Sequence, residues 1–142
     1  MNIQTATTKE SIEKCFDVMH ALRPALRKET FAKIILSMMK NGYNLIYIEE
    51  NGKAVCASGY RFTELLAWGK AIYIDDLSTI PEFRGNGYGS AMIEKILEVA
   101  KENACGQVHL DSGCNETRYD AHRLYLKKKL TLHHIILQLK FN

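Results

Sequence analysis

Between Asp75 and Ser90 the chain reads DDLSTIPEFRGNGYGS, and few local folds accommodate that order. The run up to Thr79 predicts a strand and Pro81 a turn. Gly85, Gly87 and Gly89 predict a tight loop that opens a helix near Tyr88. A glycine-rich loop ending on a helix N-terminus leaves backbone N–H groups unpaired, with the positive end of the helix dipole behind them. That arrangement is an anion site, and with three glycines it suits a pyrophosphate. The expected ligand therefore carries a diphosphate.

The rest of the chain sets the frame for that unit. With 142 residues, 46% hydrophobic and 25% charged, residues 1–142 are sized for a single domain with one core. The formal net charge is only +3, and the one dense basic run, Lys127-Lys128-Lys129, falls at a predicted helix end, where the dipole favours cations. A nucleic-acid partner is therefore not expected. No apolar run approaches membrane-spanning length, and the opening Met1-Asn2-Ile3-Gln4-Thr5 lacks a basic-then-apolar leader. Cys15, Cys56, Cys105 and Cys114 show no C-x-x-C spacing. Reduced thiols in a cytoplasmic protein without a metal centre are the expectation.

Hydrophobic periodicity supplies the other elements. Ile3 to Thr7 reads as a short strand, and Thr8 caps a helix to about Ala21, with Ile12, Cys15, Phe16 and Met19 on one face. Arg23-Pro24 ends it, and a second helix spans about Lys28 to Lys40 with Gly42 as its stop signal. Tyr43 to Glu49 and Lys53 to Phe62 form a hairpin about Asn51-Gly52, and Lys70 to Thr79 is the next strand. Gly59 inside a strand marks a bulge or a close backbone approach. Tyr88 to Glu102 is the strongest helix, followed by a strand from Gly106 to Asp111, a helix from Thr117 or Arg118 to Lys128, and a closing strand from Leu132 to Phe141. This order predicts an α/β (α+β) fold with a central mixed, mostly antiparallel sheet and helices on both faces. The crossover from Ile72 to Asp111 is expected to be parallel and right-handed.

Three kinds of diphosphate loop compete for the glycine-rich turn. A P-loop ends Gly-Lys-Ser/Thr, whereas this one ends Gly87-Tyr88-Gly89-Ser90 and has no such lysine. A dinucleotide fingerprint places G-x-G-x-x-G early in a doubly wound sheet, whereas here Gly85, Gly87 and Gly89 follow three or four strands. The third is a coenzyme A loop. Arg84-Gly85-Asn86-Gly87-Tyr88-Gly89 resembles the [RQ]-x-x-G-x-[GA] signature of the GNAT superfamily of N-acetyltransferases. Ala121-His122-Arg123-Leu124-Tyr125 resembles that family's A-x-x-x-Y helix. The resemblance is strong from about Tyr73 to Tyr125 and covers most of the chain. It implies a GNAT-like fold with acetyl-coenzyme A as co-substrate. By position, N–H groups from Gly85, Asn86, Gly87, Tyr88, Gly89 and Ser90 would hold the pyrophosphate beside Arg84, and the pantetheine arm would run along Leu77, Ser78 and Thr79. Each charge-assisted hydrogen bond is worth about 1.5–3 kcal/mol. Arg118 stands seven positions before Tyr125, where many family members carry a cofactor-contacting asparagine. Lys129-Leu130 replace the Gly-Phe usual after the tyrosine helix.

Transfer to an amine needs a neutral nitrogen. A lysine-type amine has a pKa of about 10.4, so deprotonating it at neutral pH costs roughly 4–5 kcal/mol, and a nearby carboxylate can take the proton. The resemblance places a catalytic or substrate-orienting acid at Asp75 or Asp76. Strand alternation predicts that these two point to opposite faces, so that one of them meets the acceptor. Tyr125 matches the family's general-acid tyrosine, which protonates the departing thiolate, although pattern alone reads it as a core aromatic. A backbone N–H near Leu77 or Ser78 would hold the developing oxyanion. Among other residues, His109 reads as a core histidine and His122 as a site candidate. Arg23 and Arg27 read either as solvated surface or as attractors of an acidic substrate group, and Trp68 as a groove wall or a packing residue. No cysteine lies in either landmark, so direct transfer in a ternary complex is expected rather than an acyl-enzyme. The alternative is a non-catalytic acyl-coenzyme A-binding sensor or interaction module. The expected partner is a small-molecule or peptide amine, with no nucleic acid or membrane, and a homodimer is common in the family.

Overall fold

The computed structural model describes residues 1–113, 116–131 and 137–141. The chain divides into two units, Met1–Asp111 and Ser112–Asn142.

The first unit is built on a five-stranded sheet in the order β1-β2-β3-β4-β5, formed by Ile3–Thr5, Asn44–Glu50, Lys53–Leu65, Gly69–Thr79 and Gln107–Leu110. Neighbours from β1 to β4 are antiparallel, and β5 joins β4 in parallel. The β2–β3 turn suits its residues, because Asn51 (φ 52°) and Gly52 (φ 80°) both take the left-handed region that these two types enter most cheaply.

Helices cover both faces of this sheet. Thr8 caps α1 (Lys9–Lys14) reciprocally with Ser11: Thr8 Oγ1 accepts from the Ser11 N–H at 3.1 Å, and Ser11 Oγ accepts from the Thr8 N–H at 3.0 Å. The single helix expected as far as Ala21 is instead two, α1 and α2 (Phe16–Leu22), parted at Cys15. There the N–H of Cys15 bonds to Ile12 O at 2.9 Å, one residue short of the α-helical span, which tightens and ends the first turn. With α3 (Lys28–Met39), these helices bury Ile12, Cys15, Val18, Met19, Phe31 and Ile35 against Leu45, Tyr47 and Ala57 of the sheet and Tyr43 just before β2. The opposite face packs Met92, Ile96 and Ala100 of α4 (Tyr88–Glu102) on Ile46, Ile48, Ile72 and Ile74. Each fully buried aliphatic side chain of this kind contributes about 1.5–3 kcal/mol.

One irregularity positions the site. Gly59 pairs with Asp76 and Tyr60 with Ile74, so Asp75 is an extra residue on β4, a β-bulge. Gly59 is also a close approach, since a Cβ there would stand 1.7 Å from the Tyr43 hydroxyl. β5 pairs with β4 only from Ala71 to Ile74. Past the bulge, the outer edge of β4 therefore has no strand neighbour among the described residues.

Among the described residues the second unit holds a 3-10 turn, Glu116–Arg118, leading into α5 (Tyr119–Lys127). Of the expected closing strand, residues 132–136 lie outside the described residues, as do Cys114, Asn115 and the pair His133-His134. Residues 137–141 carry no strand. Leu137, Leu139 and Phe141 keep the period of a strand but stand 91%, 78% and 90% exposed. Periodicity says which residues would share a face, whereas a strand also needs a backbone partner.

Candidate active site

The turn after β4 is a row of donors held in shape by side chains. Pro81–Phe83 form a 3-10 turn, Gly85 and Gly87 take φ of 77° and 85°, and Gly87 stands at the N-cap of α4 with no side-chain cap. A residue with a Cβ in that backbone conformation costs about 1–2 kcal/mol. Among the described residues, no hydrogen bond is donated by the backbone N–H groups of Gly85, Asn86, Gly87, Tyr88, Gly89 or Ser90. The loop's form comes from elsewhere: Asn86 Nδ2 donates to Phe83 O at 3.0 Å and to Arg84 O at 3.2 Å. Arg84 Nε donates to Thr79 O at 3.2 Å, and the Tyr88 hydroxyl donates to Glu50 at 3.0 Å. Unspent donors, a positive helix end and a fixed shape together fit a diphosphate.

The bulge reorganises the carboxylates. Leu77 packs in the layer of Ile72 and Ile74, while Asp76 accepts from the Tyr43 hydroxyl at 2.9 Å, and Tyr43 belongs to the opposite layer. The extra residue resets the alternation, so Asp75 and Asp76 share one face. The expectation that they would point apart is overturned, because alternation holds only in an unbulged strand. Arg61 of β3 lays its guanidinium across Asp75, with Nε 3.1 Å from both carboxylate oxygens and Nη2 2.7 Å from Oδ2. Its Cζ lies 5.5 Å from the centre of the Tyr43 ring. Arg23, between α2 and α3, reaches Asp76 Oδ1 through Nε at 3.1 Å and Nη2 at 3.0 Å, and donates to Asp75 O at 3.1 Å. Buried Ser58 donates to Asp76 O at 2.7 Å, so this carbonyl in the bulge is satisfied. Burial, followed by the charge of Asp76, pushes the Tyr43 phenol well above its ordinary range and keeps it a donor. On the same strand Tyr73 donates to Asp111 at 2.6 Å.

His109 and Trp68 prove to be partners in packing, with ring centroids 3.5 Å apart and planes 8° from parallel. Within the second unit, residues 118, 122 and 125 recur at helical spacing. Arg118 Nη2 donates to the Tyr125 hydroxyl at 3.4 Å and its Nε to Ser112 Oγ at 3.4 Å, both long bonds. His122 Nε2 lies 3.0 Å from the same serine oxygen. Tyr125 is buried, and burial raises its pKa while the Arg118 charge opposes the rise.

A family profile described as Acetyltransferase (GNAT) family matches residues 8–130. The chain belongs to that family. It is 30% identical over 131 residues to YhdJ of Bacillus subtilis (strain 168), an uncharacterised N-acetyltransferase by name, covering 90% of this chain and 89% of that one. It is 38% identical over 63 residues to the thialysine N-epsilon-acetyltransferase of Bos taurus, covering 44% of this chain and 37% of that protein. In fold it matches the ribosomal-protein-alanine N-acetyltransferase from Brucella melitensis biovar Abortus 2308 with a TM-score of 0.82 at 14% identity, covering 99% of this chain and 100% of that one. This GNAT protein is thus an acyltransferase, of a family that generally uses acetyl-coenzyme A.

Tyr43 and Arg61, in contact with Asp76 and Asp75, and Tyr73 with Asp111, are polar contacts of the candidate site that the sequence did not announce. Gly59 was the one available signal, since a close approach needs something to approach, but it did not say what. Among the described residues no group of three or more His, Cys, Asp or Glu is placed to hold a metal, and no helix is long and apolar enough to cross a membrane.

Proposed function

We propose that this GNAT protein moves an acetyl group from acetyl-coenzyme A to a primary amine by direct transfer in a ternary complex, the chain acting as one cytoplasmic acetyltransferase domain. The observation that carries this reading is the row of unspent N–H groups opening α4, next to a β4 edge left open past the bulge. Gly85 to Ser90, with Arg84, would hold the pyrophosphate, and Leu77, Ser78 and Thr79 would pair with the pantetheine arm. The bound donor supplies an activated thioester carbonyl. Asp76 is assigned to the acceptor, because Asp75 has both oxygens engaged by Arg61 while Asp76 keeps a neutral donor, Tyr43, and a half-exposed arginine. Asp76, directly or through water, takes the first proton from the ammonium group. The C–N bond forms as the C–S bond breaks, the second nitrogen proton passes to solvent, and the Tyr125 phenol protonates the sulfur. Tyr125 takes this role on the family resemblance; a phenol of ordinary pKa, about 10, already carries its proton at neutral pH, and burial raises this one further. Arg118, expected on the cofactor side, would also fix the direction of the phenol it touches.

Thialysine, the acceptor in the name of the Bos taurus relative, puts small side-chain amines first in an acceptor screen. The test is acetyl-coenzyme A-dependent thiol release across amine classes. Tyr125→Phe should lower kcat by about a hundredfold or more, with coenzyme A affinity by calorimetry unchanged. The resting ion pairs on both carboxylates favour one second reading, an acyl-coenzyme A sensor without turnover. Tight coenzyme A binding with no turnover of any amine would select it, and absence of coenzyme A binding would remove both readings.

A further inference from the structure

Two neighbouring aspartates carry two arginines of different build. Arg61 is anchored within β3, grips both oxygens of Asp75 and lies over the Tyr43 ring. Its side chain is 32% exposed. Arg23 comes from the connection between α2 and α3, fifty-three positions from Asp76 in sequence, meets one carboxylate oxygen of Asp76 and the Asp75 carbonyl, and is 55% exposed. Its backbone is tied down, with its N–H on Met19 O at 2.8 Å and its carbonyl accepting from Leu26 at 3.0 Å. The guanidinium can therefore leave by side-chain rotation alone, a motion of picoseconds to nanoseconds for an exposed side chain. Asp76 would not be bare after that departure, because Tyr43 still donates to its other oxygen.

We propose that Arg23 is a resident cation that holds the acceptor's place on Asp76, and that a cationic primary amine enters by displacing it. This rests on the assignment of Asp76 to the acceptor made above. The exchange is cation for cation, so the carboxylate never stands uncompensated, which is the arrangement that desolvated charge requires. It selects against neutral and anionic acceptors, which cannot replace the charge that Arg23 withdraws. It also reverses the natural reading of a basic residue beside an acceptor groove, since Arg23 is spent on Asp76 and offers little to an acidic substrate. The pair is open to water on the Arg23 side, which weakens it, so the competition is worth roughly two- to fivefold in acceptor binding.

The test uses the full chain, with acetyl-coenzyme A as donor in the kinetic arm and coenzyme A bound in the arm that needs no turnover. Arg23→Gln should lower KM for propylamine or a lysine ester by about two- to fivefold and so raise kcat/KM, while Arg23→Lys, which restores the cation, should return KM toward the parent value. A KM that rises in Arg23→Gln, or that Arg23→Lys fails to restore, overturns the proposal. A second arm needs no turnover. In protein with 15N-labelled arginine, the Nε–H resonance missing from Arg23→Gln belongs to Arg23. Titration with propylamine should move that resonance toward its free-arginine position and leave Arg61 in place, and propanol should move neither. An Arg23 resonance unmoved at saturating propylamine sinks the latch even if amines are acetylated. A protein that turns over no amine sinks the enzymatic reading, and the resonance then decides the latch alone.

Discussion

Tyr43 reaches Asp76 by crossing β3 at Gly59, and the absence of a side chain there is what lets it pass. A methyl group at that position would meet the hydroxyl at 1.7 Å and ring carbons at 2.1 and 2.4 Å. Gly59→Ala should therefore cost about 1–3 kcal/mol of stability in urea unfolding, the usual penalty of overpacking. Adding Tyr43→Phe should not rescue it, because the ring carbons obstruct as much as the oxygen does. Tyr43→Phe alone keeps the ring under Arg61 but removes the donor to a carboxylate, a bond worth about 1.5–3 kcal/mol. It should slow transfer without weakening coenzyme A binding, measured by steady-state kinetics beside calorimetry.

The turn into α4 shows how much of an element is written locally. Its helix was expected from Tyr88 to Glu102 and occupies those residues, because glycine spacing, apolar period and the end of the run all lie within the segment. Gly87→Ala would force a Cβ into φ 85°, and about 1–2 kcal/mol of strain should appear as lost stability together with weaker coenzyme A affinity in calorimetry. Gly89→Ala, inside the first helical turn, should be tolerated far better in the unfolding measurement. Other elements depended on residues far away in sequence. The break at Cys15 has no breaker residue to announce it. Gly59 announced a bulge or a close approach, but which strand carries the extra residue depends on how β3 and β4 align, and the sharing of one face by Asp75 and Asp76 follows from that alignment alone. The mixed, mostly antiparallel sheet and the glycine turn into α4 were thus legible in the sequence, and the polar cluster around Asp76 was not, because Arg23, Tyr43 and Arg61 converge there from three separate segments.

For the molecule as a whole, the buried acids tie stability to pH. Burial pushes the Cys15 thiol up to about 12 and the Cys56 thiol up to about 11, and it raises the Tyr43 phenol as well. In the unfolded chain these groups ionise at about 8.5 for thiols and about 10 for phenols. The native state therefore retains protons that the unfolded chain has already released, and stability falls as pH rises through that window. The urea midpoint should be little affected by these groups below about pH 8 and decline steadily above about pH 9. Cys15→Ala should flatten part of the decline, which unfolding curves at stepped pH would record. The strand that carries the aspartates has a different kind of tolerance. Ile74 and Leu77 already face the same layer across two intervening residues, so excising Asp75 would close the ladder instead of shifting it. Removing a residue from an interior strand ordinarily turns every later side chain inside out. Here the shortened protein should still melt cooperatively, with its apolar layers in register, while losing the kink that releases the outer edge of β4 and, with it, acyl transfer.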